Sequence, residues 1–179
     1  MGLDAVYLVM AIEETFDLHI PNPDAERMRT VRDMIGYVAS RKSTVPSVRC
    51  STQQAFHAVR RALRSASSWA GPITPDTPLT AFADRERWPS VWRRARSSAA
   101  ADPRWPRTVP WKSWLRNGPR TVGELVLYVT SVPRPAPHPR DEPWTRDDIT
   151  RTVRQVICHE LGIWNAKLDD SFVEDLGLD

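Results

Sequence analysis

Cysteine and glycine are both scarce in this chain: 179 residues contain only 2 Cys and 7 Gly. Cys50 and Cys158 lie far apart and lack metal-ligand spacing, so neither a disulfide framework nor a thiolate metal site is expected; reduced thiols fit better. Seven glycines leave no glycine-rich phosphate loop. No apolar run approaches the roughly 20 residues that span a bilayer. The first residues show no basic stretch followed by an apolar one, so no secretory signal is read, and Met1-Gly2 fails the myristoylation pattern because position 6 is Val6. A cytoplasmic location and no membrane partner are the expectations. Period-two alternation bounded by hairpin turns is also missing, which excludes a sheet-based fold and leaves an all-α chain.

Charge is present but segregated. Residues 1–45 hold 5 Lys/Arg and 7 Asp/Glu, residues 46–139 hold 15 against 5, and residues 140–179 hold 5 against 10. The two acidic flanks therefore group together and the basic middle stands apart. Six of the 8 Trp residues lie in that middle. The spacing of apolar residues and caps predicts helices over 3–18, from Pro23 to Arg27, and from Thr30, where Asp33 completes a capping box. Ser51 to Gln54 offers a second box, opening a helix with Phe56, Val59, Ala62 and Leu63 inward and Arg60, Arg61 and Arg64 outward. A helix starts at Trp88-Pro89-Ser90 and runs to about Ala100, another is capped by Thr121 with Glu124, and a last one by Thr145 with Asp148. Between them, residues 71–79 are irregular, and residues 133–143, with five prolines, form a semi-rigid linker of polyproline character.

Two segments 91 residues apart are alike. T-V-R-D-M-I-G-Y-V-A-S from Thr30 to Ser40 parallels T-V-G-E-L-V-L-Y-V-T-S from Thr121 to Ser131, and Asp76-Thr77-Pro78-Leu79 parallels Asp170-Ser171-Phe172. Two copies of one helical module follow. The central copy runs in direct order from Ser51 to Val132. The other is split, with its first helix in residues 145–161 and its later helices in residues 3–41.

The split copy resembles the acyl carrier protein family. Leu3 to Pro21, L-D-A-V-Y-L-V-M-A-I-E-E-T-F-D-L-H-I-P, is similar to the family's second helix and the loop after it. D-A-E-R-M-R-T-V-R-D-M-I-G-Y-V is similar to its third and fourth helices. Ile149 to Asp179, ending F-V-E-D-L-G-L-D, is similar to its first helix and the loop that leads to the prosthetic serine. The resemblance implies two small four-helix bundles, one circularly permuted: residues 1–45 with 144–179, a basic carrier-like module at 46–132, and the linker at 133–143 between them. Circular permutation is tolerated where the new ends lie in an exposed loop.

The same resemblance places a serine that holds a phosphopantetheine arm between Asp179 and Leu3. Gly2 stands there instead and has no hydroxyl, so no attachment and no cofactor are expected. On the family's partner-docking helix Asp4, Glu13 and Glu14 keep the acidic character, while Tyr7 replaces a glutamate. The expected function is that of a non-enzymatic interaction module. It would dock a protein partner, either an acyl-handling enzyme or a copy of itself, through Asp4, Tyr7, Glu13 and Glu14 and through Arg93, Arg94 and Arg96. Two other readings stay open. One is an active carrier modified at Ser90 or Ser171; the other is a nucleic-acid-binding module built on the basic, Trp-rich middle. Trp88 and Trp92, four apart on one helix face, point to core packing instead of base stacking. Cys158-His159-Glu160 starts like the zinc-protease H-E-x-x-H pattern, but Ile163 occupies the second His position, so neither metal binding nor catalysis is expected.

Overall fold

The computed structural model describes residues 2–46, 50–110, 118–139 and 141–178. Its helices are α1 (Leu3–Phe16), α2 (Asn22–Ala25), α3 (Val31–Arg41), α4 (Ser51–Ala66), α5 (Trp88–Arg96), α6 (Val122–Ser131) and α7 (Arg146–Leu161), with a 3-10 turn at Leu79–Ala81. The class is all-α. The chain falls into two compact units, Met1–Val48 with Arg134–Asp179, and Arg49–Pro133.

Threonine caps set three of the helix starts. Thr30 accepts the Asp33 N–H at 3.2 Å, and the Asp33 carboxylate accepts the Thr30 N–H at 2.9 Å, a complete capping box for α3. Thr121 accepts from Glu124 N–H in the same way, and Thr145 from Asp148 N–H. Thr30→Ala and Thr121→Ala are each expected to lower the stability of their own unit by about 1 kcal/mol, read as a fall in the urea midpoint with unchanged slope. Helix α7 ends at Gly162, whose φ of 71° lies in the left-handed region that glycine enters without Cβ strain.

Three expectations need correction. Ser51 does not cap α4: it is the helix's first residue, and Cys50 is the N-cap without a side-chain bond. Ser-Thr-Gln-Gln fits the box pattern, but the helix starts one residue too early for it. Helix α5 opens at Trp88 as expected but closes at Arg96, four residues short of the expected end near Ala100, and Ser90 is its third residue. Strand is present, if minimally: Thr44–Val45 (β1) pairs in parallel with Trp144–Thr145 (β2), a two-residue ladder too short to leave any alternation in sequence.

Each unit has its own core. In the first, Leu8, Ile12 and Phe16 of α1 meet Val31, Met34, Ile35 and Val38 of α3 and Ile149, Val153, Val156 and Ile157 of α7. These positions recur at three- and four-residue intervals, so each helix turns a single apolar stripe inward. Phe172, Leu176 and Leu178 complete that core from the segment after α7. Gly177, at φ 72°, turns the backbone so that the leucines on both sides of it point inward. The proline-rich stretch groups with this unit, and His138 stacks on Trp144 with ring centroids 3.8 Å apart. In the second unit Val59, Ala62 and Leu63 of α4 pack with Trp88, Val91, Trp92 and Ala95 of α5 and Val122, Leu125, Val126 and Val129 of α6. Trp92 stacks between Trp88 and Trp105, at 6.3 and 5.8 Å, and donates its indole N–H to Pro106 O at 3.0 Å.

The units repeat one set of backbone bonds. In the first, Arg32 N–H donates to Leu168 O, Val31 N–H to Asp170 O, and Phe172 N–H to Arg29 O. In the second, Gly123 N–H donates to Pro75 O, Val122 N–H to Thr77 O, and Leu79 N–H to Arg120 O. The helix-side residues differ throughout by 91 positions and the loop-side residues by 93. The side chain that closes the loop repeats too: Asp170 accepts the Lys167 N–H and Thr77 accepts the Thr74 N–H, both at 2.8 Å. Aspartate and threonine do the same work here because each offers an oxygen three residues from the donor. The bonded segments come in a different chain order. In the second unit the loop precedes its helix α6; in the first it follows α3 and α7.

Candidate functional site

Gly2 is the N-cap of α1, with extended backbone (φ −68°, ψ 171°) and no side chain to cap with; its carbonyl accepts the Val6 N–H at 3.2 Å. The segment after α7 folds back on itself. Ser171 N–H donates to the Asp175 carboxylate at 2.8 Å, Ser171 Oγ accepts Glu174 N–H at 3.2 Å, and Leu178 N–H donates to Phe172 O at 2.8 Å. A cavity of about 420 Å³ lies between the two, walled by Ala5, Leu8 and Val9 of α1, Met28 and Met34, and Phe172, Val173 and Leu178, with Glu26, Arg29 and Glu174 on its lining. Residues 172–178 and the first turns of α1 thus share one apolar cleft. Asp179, the other flank of the expected attachment point, lies outside the described residues.

The outer face of α1 carries Leu3 (68 % exposed), Tyr7 (53 %) and Met10 (55 %) at helical spacing, and Asp4 and Glu14 are exposed on the same helix. Large apolar side chains this open to water are unusual in number on one helix. Glu13 is placed differently. Its carboxylate accepts the Ile20 N–H at 2.6 Å and contacts His19 Nδ1 at 2.9 Å, so it fastens the loop after α1. Arg93 and Arg94 are exposed and Arg96 half-buried on α5 of the other unit, and no ion pair reaches them among the described residues. The structure therefore puts Asp4, Tyr7 and Glu14 on one helix of the first unit and the three arginines on one helix of the second.

Ser90 is exposed on α5, and Ser171 is held inside its turn. Burial pushes the Cys158 thiol up from its ordinary value, which disfavours the reactive thiolate. No group of three His, Cys, Asp or Glu able to hold a metal occurs among the described residues. Arg32 grips Asp169 through two bonds of 2.7 and 3.0 Å and holds that carboxyl below the usual range; the pair ties α3 to the loop after α7.

A second cavity, of about 520 Å³, lies in the second unit, lined by Arg60, Arg61, Arg64, Ser65, Pro72 and Ile73. Outward arginines on α4 were its only trace in the sequence. Its floor comes from an irregular segment that has no periodicity to read.

Comparison with known proteins adds one observation. Forty-two residues are 56% identical to the acyl carrier protein of Syntrophobacter fumaroxidans, covering 24% of this chain and 52% of that protein. The matched stretch is acyl carrier protein-like. The acyl carrier proteins of Helicobacter hepaticus (48% over 41 residues, 23% and 54% of the two chains) and Bdellovibrio bacteriovorus (57% over 37 residues, 21% and 47%) agree. The chain spans about half the length of these curated relatives. No family model and no solved structure matches. Among the described residues, no helix is long and apolar enough to cross a membrane.

Proposed function

We propose that this chain contains an acyl carrier protein-like bundle, circularly permuted and without a prosthetic arm, that serves as a protein-interaction module and not as an enzyme. The bundle comprises residues 1–45 and 144–179, and a second module of the same design occupies residues 46–132, joined through the proline-rich stretch 133–143. Support for the permutation comes from the repeated loop–helix bonds. The second unit runs α4, loop, α5, α6, and the first reaches the same arrangement as α7, loop, α1, α2, α3. Similarity to acyl carrier proteins supports the carrier-like reading.

The observation that carries the proposal is Gly2 at the N-cap of α1, the helix whose Ala5, Leu8 and Val9 share the apolar cleft with residues 171–174 and Leu178. A phosphodiester needs a hydroxyl at that point, and glycine offers none. What remains is the outer face of α1, where Leu3, Tyr7 and Met10 supply contact area and Asp4 and Glu14 supply charge, with Arg93, Arg94 and Arg96 as a basic counterpart for acidic partners. Intact mass after coexpression with a promiscuous phosphopantetheinyl transferase tests this reading. The unmodified mass is expected. A gain of one pantetheine arm, on Ser90, Ser171 or any other serine, would replace the proposal with that of a working carrier.

A further inference from the structure

The two units carry opposite charge. Residues 1–48 and 134–179 hold 17 Asp/Glu against 11 Lys/Arg, net −6, whereas residues 49–133 hold 5 against 14, net +9. Each unit also has an amphipathic surface without a described occupant. On the first it is the outer face of α1, an apolar stripe with acids on the same helix. On the second it is the α4 groove, whose floor includes Pro72 and the buried Ile73 and whose rim is Arg60, Arg61 and Arg64. Arg64 donates to Trp69 O at 3.0 Å and Arg60 lies 5.9 Å from the Phe56 ring, so both side chains are extended along the surface. Among the described residues no carboxylate pairs with Arg60 or Arg61.

We infer that the α4 groove of one chain receives the outer face of α1 from a second copy of the same chain. Resting on the interaction-module reading above, this inference names the partner. The match is chemical at both levels. Leu3, Tyr7 and Met10 fill a groove with an apolar floor, a lining that free phosphate or a nucleic-acid backbone would leave unused. Asp4 and Glu14 meet guanidinium groups whose stems already cover apolar surface and whose planar heads stack on a tyrosine ring. Face and groove are different surfaces, so the contact is heterologous. Successive copies join head to tail, into an open chain or, if the rotation closes, a ring.

Sedimentation velocity of the full chain tests the inference, with intact mass measured on the same samples. At low ionic strength the mean mass is expected to rise with concentration to twice the monomer or more. It should return to monomer at about 1 M salt, where the Debye length shrinks to about 3 Å. A variant with Asp4→Lys and Glu14→Lys, and another with Arg60→Gln and Arg61→Gln, change only exposed residues and should each stay monomeric while keeping wild-type helicity. Mixed, they should give a one-to-one heterodimer that grows no further, because each retains the surface the other has lost. A wild type that is monomeric at low salt, including by docking within one chain, overturns the inference. So does a mixture that stays monomeric, or association that nuclease treatment abolishes. An unmodified, monomeric protein rejects self-docking alone and leaves the arm-less reading standing; a gain of one arm rejects that reading whatever the association.

Discussion

Trp92→Ala is expected to destabilise residues 49–133 by about 3–5 kcal/mol while the stability of the other unit stays unchanged. Trp92 is almost fully buried, stacked between two indoles and hydrogen-bonded through its own N–H. Removing such a side chain costs about 3–5 kcal/mol through lost transfer free energy and the cavity left behind. At roughly 0.05–0.15 kcal/mol per residue, an 85-residue unit has only about 4–13 kcal/mol of net stability. The two cores share no residue, so the loss should stay in one of them. Urea unfolding followed by far-UV circular dichroism should show about half of the helical signal melting at a much lower urea concentration than in the parent, with the remainder melting at its parent midpoint. One transition of the whole helical signal, merely shifted, would contradict separate cores.

How much of this was legible in the sequence depended on whether the signal was local. Thr30, Thr121 and Thr145 could be read as caps because a hydroxyl and an acid three residues on are both within one turn. The same rule misfired at Ser51, where polar residues fit the pattern but the helix already begins. Trp88 and Trp92 could be placed in the core from their four-residue spacing, whereas Trp105, their third partner, sits in an irregular loop with no period to betray it. Glu13 is named as a docking acid by the resemblance to the carrier family, and the sequence does not show where its carboxylate turns; the fold shows it accepting from Ile20 N–H. The α4 groove was hidden for a similar reason. Its arginines are periodic, but Pro72 and Ile73 come from a segment whose path is set by tertiary contacts.

The likeness of Thr30–Ser40 to Thr121–Ser131 was visible as letters. The loop-side half was much fainter, since Asp170 and Thr77 differ chemically and match only as oxygen acceptors in the same turn. The constant offsets of the backbone bonds appear once the chain is folded, and they are what make the order of elements meaningful.

That order supplies the second large effect. If α7, the loop after it and α1 to α3 form one carrier-like bundle, a chain rewired to run from Trp144 to Asp179, through one added serine, and on from Leu3 to Pro46 keeps every core contact among Leu8, Ile12, Phe16, Val38, Ile157 and Phe172. It also puts a hydroxyl at the helix N-cap that Gly2 leaves bare. Intact mass of this rewired chain after treatment with a promiscuous phosphopantetheinyl transferase is the most direct measurement. The expected result is a gain of one arm, mapped to the added serine, with the parent chain unmodified under the same conditions. A rewired chain that stays at its unmodified mass would contradict the carrier-like bundle and the role given to Gly2.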